Sequence, residues 1–519
     1  MHSASQSSAA VSGWTRIPDR WPLLAIAAFF LVEALIRFGS LLNHDTAWYL
    51  HVVRRLNAGE KLYTDIIEVN PPFGIWLTMP AIWLAEKLDI SSFDAIYAMI
   101  FVSAGFSLFL ANHFLGTVEW FSDRQRWIFI AVAAFAFLFL PGVDFGQREH
   151  FIVIFFFPWL VLRLVRLHGG NANPMLAALA GIAAAYAIAL KPHAVFAPLI
   201  VEVFILWKTR VWLKMVSVEN TAAAITAMIA GFLLFLLAPD FLTRMLAMGT
   251  VVYVPFLGLS GTAILMNAGL FLVLAIFAVW SIRLMAPSPG KDLAQLCLAA
   301  ATGFGVSYFL QQKGYNYQVL PATAFAALGC AALLGEWRER TSVVFAVMLG
   351  VVTLMKPATL TNKPVLFQAL IEQYAPNARS IFIANTNVAG AFPLVEQKRY
   401  AWASGLPAQW FAPYVKSRID AGVDEGDPLV VYAREKTVSD LIKGKPEIII
   451  VRVGGDQPYV PGGTFDYVNF WSGDSRFAVF WKNYTFKTEA RGYAVYVRQP
   501  VDEQASKLPH KNPGQDARG

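Results

Sequence analysis

The residues best suited to chemistry lie in the stretch LNHDTAWYLHVVRRLNAGEKLYTDIIEVNPPF, residues 42–73. Asp45 and Glu68 supply carboxylates, and a carboxylate within hydrogen-bond reach of a hydroxyl group can act as its general base. Trp48 and Tyr49 follow Asp45 closely and offer aromatic faces that suit many sugars. The stretch therefore contains the parts needed for transfer of a group to a hydroxyl.

Hydrophobic spacing predicts a helix over residues 46–58. Its apolar stripe falls at i, i+3, i+4 and i+7 (Tyr49, Val52, Val53 and Leu56), and Gly59 ends it. This pattern predicts an amphipathic helix lying on the outer membrane surface. Two interpretations of Asp45 stay open and are compatible: an N-cap of this helix, or a functional carboxylate at the membrane–water boundary.

A second polar cluster, PGVDFGQREHF, occupies residues 141–151 between two apolar runs. Asp144, Glu149 and His150 are candidate ligand-binding residues here. The alternative is a solvated loop whose charges cap helices. These three residue types can also ligate a divalent metal, although their spacing is not diagnostic of a metal site.

Further candidates stand where other apolar runs end. Lys191 and His193, Arg244, and Lys313 with Tyr315 are placed to contact a phosphate or a sugar. Each has a structural alternative. Lys191 suits an interfacial anchor, Arg244 an ordinary surface arginine, and Lys313 with Tyr315 the usual Lys and Tyr of a membrane interface.

The composition requires a membrane to position these residues. The chain has 519 residues, of which 56% are hydrophobic and 15% charged, with a mean hydropathy of +0.49. Soluble domains carry about 25% charged residues. The net charge of +7 is attributed to basic loops that set membrane orientation rather than to nucleic-acid binding.

Basic loops alternate with the candidate loops along the chain. With the basic loops in the cytoplasm, residues 43–71, 141–150, 191–193, 239–261 and 311–317 are external. The apolar segment 72–88 breaks this alternation if it crosses the membrane, which would give 12 crossings and a cytoplasmic C-terminus; we treat it as a partly inserted helix that does not cross. We therefore predict a mainly α, polytopic transmembrane bundle of about 11 crossings, with interfacial helices in the first external loop. Glu33 and Arg37, inside the first helix, are predicted to pair.

The composition changes after residue 357. Charges return, and four segments are predicted as strands: SIFIANT (380–386), EIIIVRV (447–453), FAVFWKNY (477–484) and YAVYVR (493–498). The predicted domains are the transmembrane part (1–356), a small extracytoplasmic α/β domain (357–500) and a disordered tail (501–519).

The order of elements in the first loop resembles that of GT-C type polytopic glycosyltransferases. After the first helix come D-x-x-x-Y (Asp45 to Tyr49), GEKLY ending at Tyr63, and Glu68 shortly before a Pro-Pro pair. The likeness is to the branch of the protein mannosyltransferases and the lipid A aminoarabinose transferases. It is sharpest over residues 22–90 and weak in the C-terminal domain. Asn70 departs from the aminoarabinose transferases, which have Lys before Pro-Pro.

This resemblance implies a hexosyl- or pentosyltransferase that uses a polyprenyl-phosphate-linked sugar. Asp45 maps to the catalytic base, and inversion at the anomeric carbon is expected. The implied acceptor is a hydroxyl of a glycolipid, an envelope glycan or a protein, and no cofactor is certain. The implied setting is a bacterial inner membrane with the site facing the periplasm. The expected donor- and acceptor-binding residues are Trp48, Tyr49, Tyr63, Glu68, Asp144, Glu149, His150, Lys191, His193, Arg244, Lys313 and Tyr315.

Two other functions remain open from the sequence. A transporter or flippase for lipid-linked glycans would place ionisable groups at mid-membrane and show internal repeats. Here the polar groups gather at the ends of apolar runs, and no repeat is evident. A non-catalytic envelope-assembly protein, with the C-terminal domain as its binding module, is the third possibility.

Overall fold

A computed structural model describes residues 21–119, 122–334 and 363–499. The helices of its first part are α1 (Trp21–Arg37), α2 (His44–Asn57), α3 (Phe73–Leu88), α4 (Ser92–Gly116), α5 (Asp123–Phe139), α6 (Arg148–Leu167), α7 (Pro174–Leu190), α8 (Phe196–Thr209), α9 (Val218–Leu237), α10 (Leu246–Met248), α11 (Gly261–Asn267), α12 (Gly269–Leu284), α13 (Pro289–Gln311) and α14 (Asn316–Leu334). Two π-helical turns, Phe241–Met245 and Gly249–Tyr253, flank α10.

The chain is a multi-pass membrane protein. Five described helices are long and apolar enough to cross a bilayer: α4, α6, α9, α13, and α8 with the turn before it. A sixth span is formed if α11 and α12, which meet at 52°, count as one. The predicted number of 11 crossings stays a prediction, since residues 335–362 lie outside the described part.

Helix α6 is the centre of the bundle. Almost all of its residues are buried, and it packs against α4, α7, α13 and α14. Helix α9 is the opposite case: it packs closely on α7, where a Cβ on Gly181 would come within 2.0 Å of the Glu219 carbonyl oxygen. Most of its apolar side chains point outward, as expected of a helix that faces lipid.

Buried ion pairs join the helices inside the bundle. Arg163 contacts Glu202 at 2.6 Å and Glu219 at 2.8 Å, which ties α6 to α8 and α9. In α1, Arg37 pairs with Glu33 at 2.6 Å and also donates to the Gly142 carbonyl oxygen at 2.8 Å. The predicted Glu33–Arg37 pair is therefore present, and it also anchors the turn that precedes α6.

Helix α3 packs against α2 and α4 and also contacts α7. Near its start, the carbonyl of Phe73 accepts a hydrogen bond from Tyr186, close to the end of α7. Near its finish, Glu86 contacts Arg54 of α2 at 3.4 Å. That residues 72–88 do not cross the membrane stays a prediction.

The C-terminal part is the predicted α/β domain. Its helices are α15 (Lys363–Tyr374), α16 (Leu394–Lys398), α17 (Ala412–Asp420), α18 (Pro428–Gly444), α19 (Tyr467–Ser472) and α20 (Ser475–Trp481); its strands are β1 (Ser380–Ala384), β2 (Ala401–Trp402), β3 (Ile448–Arg452), β4 (Tyr484–Ala490) and β5 (Tyr493–Arg498). The sheet order is β2-β1-β3-β5-β4. The first three strands are parallel to one another, and β5 pairs antiparallel with both β3 and β4.

Three of the four predicted strands are confirmed, whereas FAVFWKNY is mostly helical. Residues 477–481 belong to α20, whose N-cap Asp474 accepts a hydrogen bond from the Arg476 backbone. Phe477 and Phe480, three residues apart, share the buried face, so a helical spacing overrides the β propensity of the aromatic residues. The predicted disordered tail lies outside the described residues.

The predictions for the surroundings of α2 need two corrections. The helix exists, but it does not lie open on a membrane surface, because every residue from Thr46 to Val53 is buried. Its polar face is covered by the C-terminal domain, where Arg55 donates to the Ser404 carbonyl oxygen at 2.5 Å. Asp45 is not the N-cap either, since Asn43 fills that position and accepts from the Asp45 backbone at 2.9 Å.

Candidate active site

Residues from the predicted external loops meet in one cavity of about 420 Å³ at one end of the bundle. The membrane part contributes its walls from the start of α2, the loop before α3, the turn before α6, the segment after the second π turn, and the start of α14. The C-terminal domain supplies the remaining side. The lining residues are His44, Asp45, Trp48, Tyr49, Ile67, Glu68, Val69, Asn70, Val143, Asp144, Arg148, Tyr253, Leu257, Leu259, Tyr315, Asn316, Tyr317, Thr386, Asn387, Val388, Pro407, Trp410 and Tyr459.

Asp45 lies in the first turn of α2 with its carboxylate at the cavity. Gln147 donates to one of its oxygens at 3.1 Å, and His44 lies 3.6 Å from the other. The Asp45 side chain is 24% exposed to solvent. The positive end of the α2 dipole also favours a carboxylate here. The side chain is thus held in position while remaining accessible to a ligand.

The first turn of α2 is fastened to the turn that carries Asp144. Asn43 donates to the Val143 carbonyl oxygen at 3.2 Å and lies 3.5 Å from Asp144. Thr46 donates to the Gly146 carbonyl oxygen at 2.8 Å. Because of these contacts, two carboxylates from distant parts of the sequence line the same side of the cavity.

Glu68 is buried behind Trp48. Its carboxylate accepts from the Trp48 indole at 2.8 Å and from the Asn70 backbone at 2.9 Å. Burial raises the pKa of Glu68 above its ordinary value of 4.5, although the hydrogen bonds from Asn70 and Trp48 oppose that rise. Glu68 therefore orients Trp48 and the loop before Pro-Pro and is poorly suited to act as a freely ionised base.

Arg148 is a charged residue of the cavity that the sequence does not single out. It is the first residue of α6, is only 8% exposed, and lines the cavity. Its guanidinium lies 5.7 Å from the centre of the Tyr49 ring, and its Nε has no hydrogen-bond partner among the described residues. A buried cation facing a cavity with an unsatisfied donor is suited to an anionic ligand.

Aromatic side chains line the cavity opposite and beside the charged groups. Tyr315 and Tyr317 are stacked with centroids 5.6 Å apart. Tyr253 meets Trp410 of the C-terminal domain edge-on at 5.9 Å. Together with Trp48 and Tyr49 they give the cavity several ring faces, which suits a ligand with apolar faces and polar edges.

Two of the predicted lysines contact tyrosines that line the cavity. Lys191 forms a buried ion pair with Glu149 and lies 5.3 Å from the centre of the Tyr317 ring. Lys313 donates to the carbonyl oxygens of Tyr253 and Val254 at 2.9 and 3.0 Å, and burial lowers its pKa to about 8. Neither lysine lines the cavity; both position residues that do.

Other predicted residues lie farther from the cavity. The Tyr63 hydroxyl donates to the Asn70 carbonyl oxygen at 2.9 Å. Both ring nitrogens of His150 are hydrogen-bonded to backbone groups, of Gly146 and Phe137, so this side chain is engaged structurally. His193 contacts Ser307 at 2.5 Å, and Arg244 is exposed.

Metal binding has no support from side-chain geometry in the part of the chain that the structure describes. Within it, no group of three or more His, Cys, Asp or Glu side chains is arranged to hold a metal ion. A larger and more open cavity of about 760 Å³ lies beside α9. Its cations are already engaged: Arg166 with Glu219 and Lys214 with the Leu167 carbonyl oxygen.

Comparison of the structure with solved structures decides the fold. ArnT from Cupriavidus metallidurans, solved with bound undecaprenyl phosphate, aligns over 93% of this chain and 99% of its own, with 12% identity and a TM-score of 0.55. The chain has the GT-C fold.

Two other solved proteins align with lower scores. The oligosaccharyltransferase AglB from Archaeoglobus fulgidus aligns over 94% of this chain and 75% of its own, with 12% identity and a TM-score of 0.46. The arabinofuranosyltransferase AftD from mycobacteria aligns over 94% and 40%, with 15% identity and a TM-score of 0.45. The fold assignment rests on ArnT. No protein-family model and no curated protein matches the sequence.

Proposed function

We propose that this protein is a membrane glycosyltransferase that moves a sugar from a polyprenyl-phosphate donor to a hydroxyl acceptor. The observation that carries the proposal is the presence, in one cavity, of an accessible carboxylate, Asp45, and a buried guanidinium, Arg148, whose Nε has no hydrogen-bond partner among the described residues. The GT-C fold shared with ArnT, a protein solved with a polyprenyl phosphate bound, supports the class of donor.

In this proposal Asp45 is the general base. Its carboxylate takes the proton of the acceptor hydroxyl while that oxygen bonds to the anomeric carbon of the sugar. The bond between the anomeric carbon and the phosphate oxygen breaks at the same time and releases polyprenyl phosphate. Because phosphate leaves readily without protonation, one carboxylate suffices, in contrast to the acid–base pair of glycosidases. Direct displacement inverts the anomeric configuration.

Arg148 is proposed to hold the donor phosphate. Negative charge grows on that phosphate as the sugar leaves, and a cation in a site shielded from water stabilises such charge strongly. A guanidinium also matches phosphate with two parallel hydrogen bonds. Asn70 stands where the aminoarabinose transferases have Lys, so Arg148 supplies the cation that this position lacks.

The arrangement of charges favours an enzyme over a transporter for lipid-linked glycans. The cavity that combines carboxylates, a cation and aromatic rings lies at one end of the bundle and is closed by the C-terminal domain. A transporter site is expected near the bilayer midplane between helix repeats. We place the cavity at the outer face of the plasma membrane, as the basic loops predict.

The test is to incubate the purified full-length protein with a panel of polyprenyl-phosphate sugars and a membrane glycolipid extract, and to analyse products by mass spectrometry. The proposal predicts release of polyprenyl phosphate together with an acceptor that is heavier by one sugar. If lipid-linked glycan instead crosses the bilayer of proteoliposomes with no sugar transferred from any donor, the transporter function replaces this proposal.

A further inference from the structure

The C-terminal domain takes part in the candidate site itself. Six of the described residues that line the cavity belong to it: Thr386, Asn387, Val388, Pro407, Trp410 and Tyr459. They come from three separate segments that follow β1, β2 and β3 in the chain. The carboxyl ends of these parallel strands lie at the same edge of the sheet, so the fold of the domain directs all three segments to the cavity.

A close backbone contact fixes this edge against the membrane part. The Ile67 backbone donates to the Gly405 carbonyl oxygen at 2.8 Å, one residue before Glu68. A Cβ on Gly405 would lie 2.1 Å from the Asp65 carbonyl oxygen, so only glycine permits this approach. The segment that leads to Trp410 is therefore held directly on the loop that carries Glu68.

Tyr459 is held in an unusual conformation at the cavity. Its φ of +68° lies in the left-handed region of the backbone, which residues other than glycine adopt rarely. Such conformations are often found at functional positions. The preceding Pro458 carbonyl accepts a hydrogen bond from Thr386 at 3.0 Å. Tyr459 lines the cavity together with Tyr315 of the membrane part. This backbone strain is maintained at the point where both parts of the molecule meet.

The surface formed by the six residues is uncharged and has polar groups beside aromatic rings. Trp410 stacks on Phe411 with centroids 4.1 Å apart, and its indole N–H donates to no other described residue. Asn387 uses its side-chain oxygen to cap the next turn, through the Ala389 backbone at 2.9 Å, which leaves its amide N–H₂ as donors. Such a surface matches neutral hydroxyl groups on a ring and offers nothing to a charged group.

We propose that Asn387, Trp410 and Tyr459 form the acceptor subsite and bind a neutral sugar ring, so that the acceptor is a carbohydrate. This inference rests on the proposed glycosyl transfer, and it divides the cavity into two halves. Arg148 and the membrane part hold the donor, and the C-terminal domain presents the acceptor hydroxyl to Asp45. The three residues are specificity determinants and take no part in bond formation.

Binding measurements test this inference separately from catalysis. The full-length protein in lipid nanodiscs is applied to an array of immobilised oligosaccharides, and its affinity for undecaprenyl phosphate is measured in parallel. The variants are Trp410→Ala, Asn387→Ser, which keeps an oxygen for the cap and adds no charge but removes the amide donors, and Tyr459→Phe, which removes one hydroxyl. Phe486→Ala is the control, because Phe486 is an exposed aromatic residue of β4 away from the cavity.

We expect the wild-type protein to bind at least one glycan. Trp410→Ala should weaken that binding at least tenfold, and Asn387→Ser and Tyr459→Phe about threefold or more, with undecaprenyl phosphate affinity unchanged. The inference is overturned if the wild-type protein binds no glycan, or if both conservative variants bind like the Phe486→Ala control. It is also overturned if a Ser/Thr peptide binds through these residues in place of a glycan. Absence of sugar transfer despite glycan binding would count against the proposed function alone.

Discussion

Asp45 and Arg148 each stand in the first turn of a helix, yet the positive helix end favours only the carboxylate. Burial of Arg148 at a like-charged helix end has a free-energy cost, and its Nε has no hydrogen-bond partner among the described residues. Groups held against their intrinsic preference are candidates for function. An anionic ligand in the cavity would remove this cost.

The variant Arg148→Gln tests that role. It is expected to weaken binding of undecaprenyl phosphate by roughly 2 kcal/mol, or about 30-fold, because a charged hydrogen bond to phosphate is lost. Binding is measured with the purified protein in nanodiscs.

The matched control is Arg244→Gln, because Arg244 is exposed and does not line the cavity. Its affinity for undecaprenyl phosphate should equal that of the wild type. Equal weakening by both variants would show only general attraction of the lipid to positive charge, and the specific role of Arg148 would be refuted.

Glu68 gives a prediction about pH. Burial raises its pKa, so between its ordinary value of 4.5 and the folded value the folded state holds a proton that the unfolded state has lost. The stability from this group is therefore complete below the ordinary pKa and declines as pH rises through the folded pKa. Glu68→Gln lacks this titration. Thermal unfolding from pH 4 to 8 should show the variant gaining midpoint temperature relative to wild type as pH rises, and a constant difference would contradict the prediction.

Single residues differ in how far the sequence predicts them. Asp45 was selected from its neighbours along the chain, and six of the predicted residues, including Asp144 and Tyr315, do line the cavity. Arg148 stands in the same polar cluster as Asp144, but only its burial, and an Nε without a hydrogen-bond partner in the described part of the chain, distinguish it. His150 is the opposite case. A histidine in a polar loop is a candidate for ligand binding, but hydrogen bonds to backbone groups occupy both of its ring nitrogens.

At the scale of elements, one ion network joins α2, α4 and the C-terminal domain. Glu396 of α16 accepts from Arg54 at 2.7 Å and from Ser92 at 2.8 Å, and His51 lies 3.7 Å away. Burial raises the pKa of Glu396, but the interactions with His51, Arg54 and Ser92 outweigh it and hold that pKa below its ordinary value. The carboxylate is thus kept ionised and couples the domain to α2.

The variant Glu396→Ala should loosen this coupling. Removing one partner leaves Arg54 without its buried counter-charge, with an expected loss of roughly 3 kcal/mol. We expect a lower unfolding temperature and faster proteolytic release of the C-terminal domain. Glu435→Gln, at an exposed position of α18, is the control and should behave as wild type. Equal cleavage rates for Glu396→Ala and the control would contradict this role of the network.

Elements with a strong local pattern were predicted well. The buried β1, β3 and β5 read as continuous apolar strands, and α2 was recognised from its spacing. What α2 packs against was not predictable, because its cover comes from residues more than 300 positions later, such as Glu396 and Ser404. The helix α20 was missed because its aromatic residues favour strands intrinsically and only packing selects the helix.

At the scale of the whole molecule, the candidate site exists only when both parts are assembled. Loops separated by apolar helices converge at one end of the bundle, and the strand ends of the C-terminal domain close the same cavity. The apolar segments of the sequence predict the helical bundle. In contrast, no local sequence pattern in residues 385–388 or 407–410 indicates that they line the cavity.

The predicted orientation of the chain in the membrane can be tested by cysteine labelling. The two native cysteines, Cys297 and Cys330, are buried, so the background is low. Glu425→Cys in the C-terminal domain and Asn171→Cys in the α6–α7 loop are both at exposed positions. We expect a membrane-impermeant maleimide added outside intact cells to label Glu425→Cys directly and Asn171→Cys only after permeabilisation, because basic loops remain in the cytoplasm. The opposite labelling would reverse the assigned orientation.

The central claim is that Asp45 removes the acceptor proton in a reaction that consumes a polyprenyl-phosphate sugar. The direct measurement is the transfer rate of Asp45→Asn and wild-type protein with the active donor, together with their affinities for undecaprenyl phosphate. The account predicts that Asp45→Asn lowers the rate by about 10²- to 10⁴-fold, the usual contribution of a general base, while affinity and unfolding temperature stay near wild type. Transfer by Asp45→Asn at the wild-type rate would contradict the account.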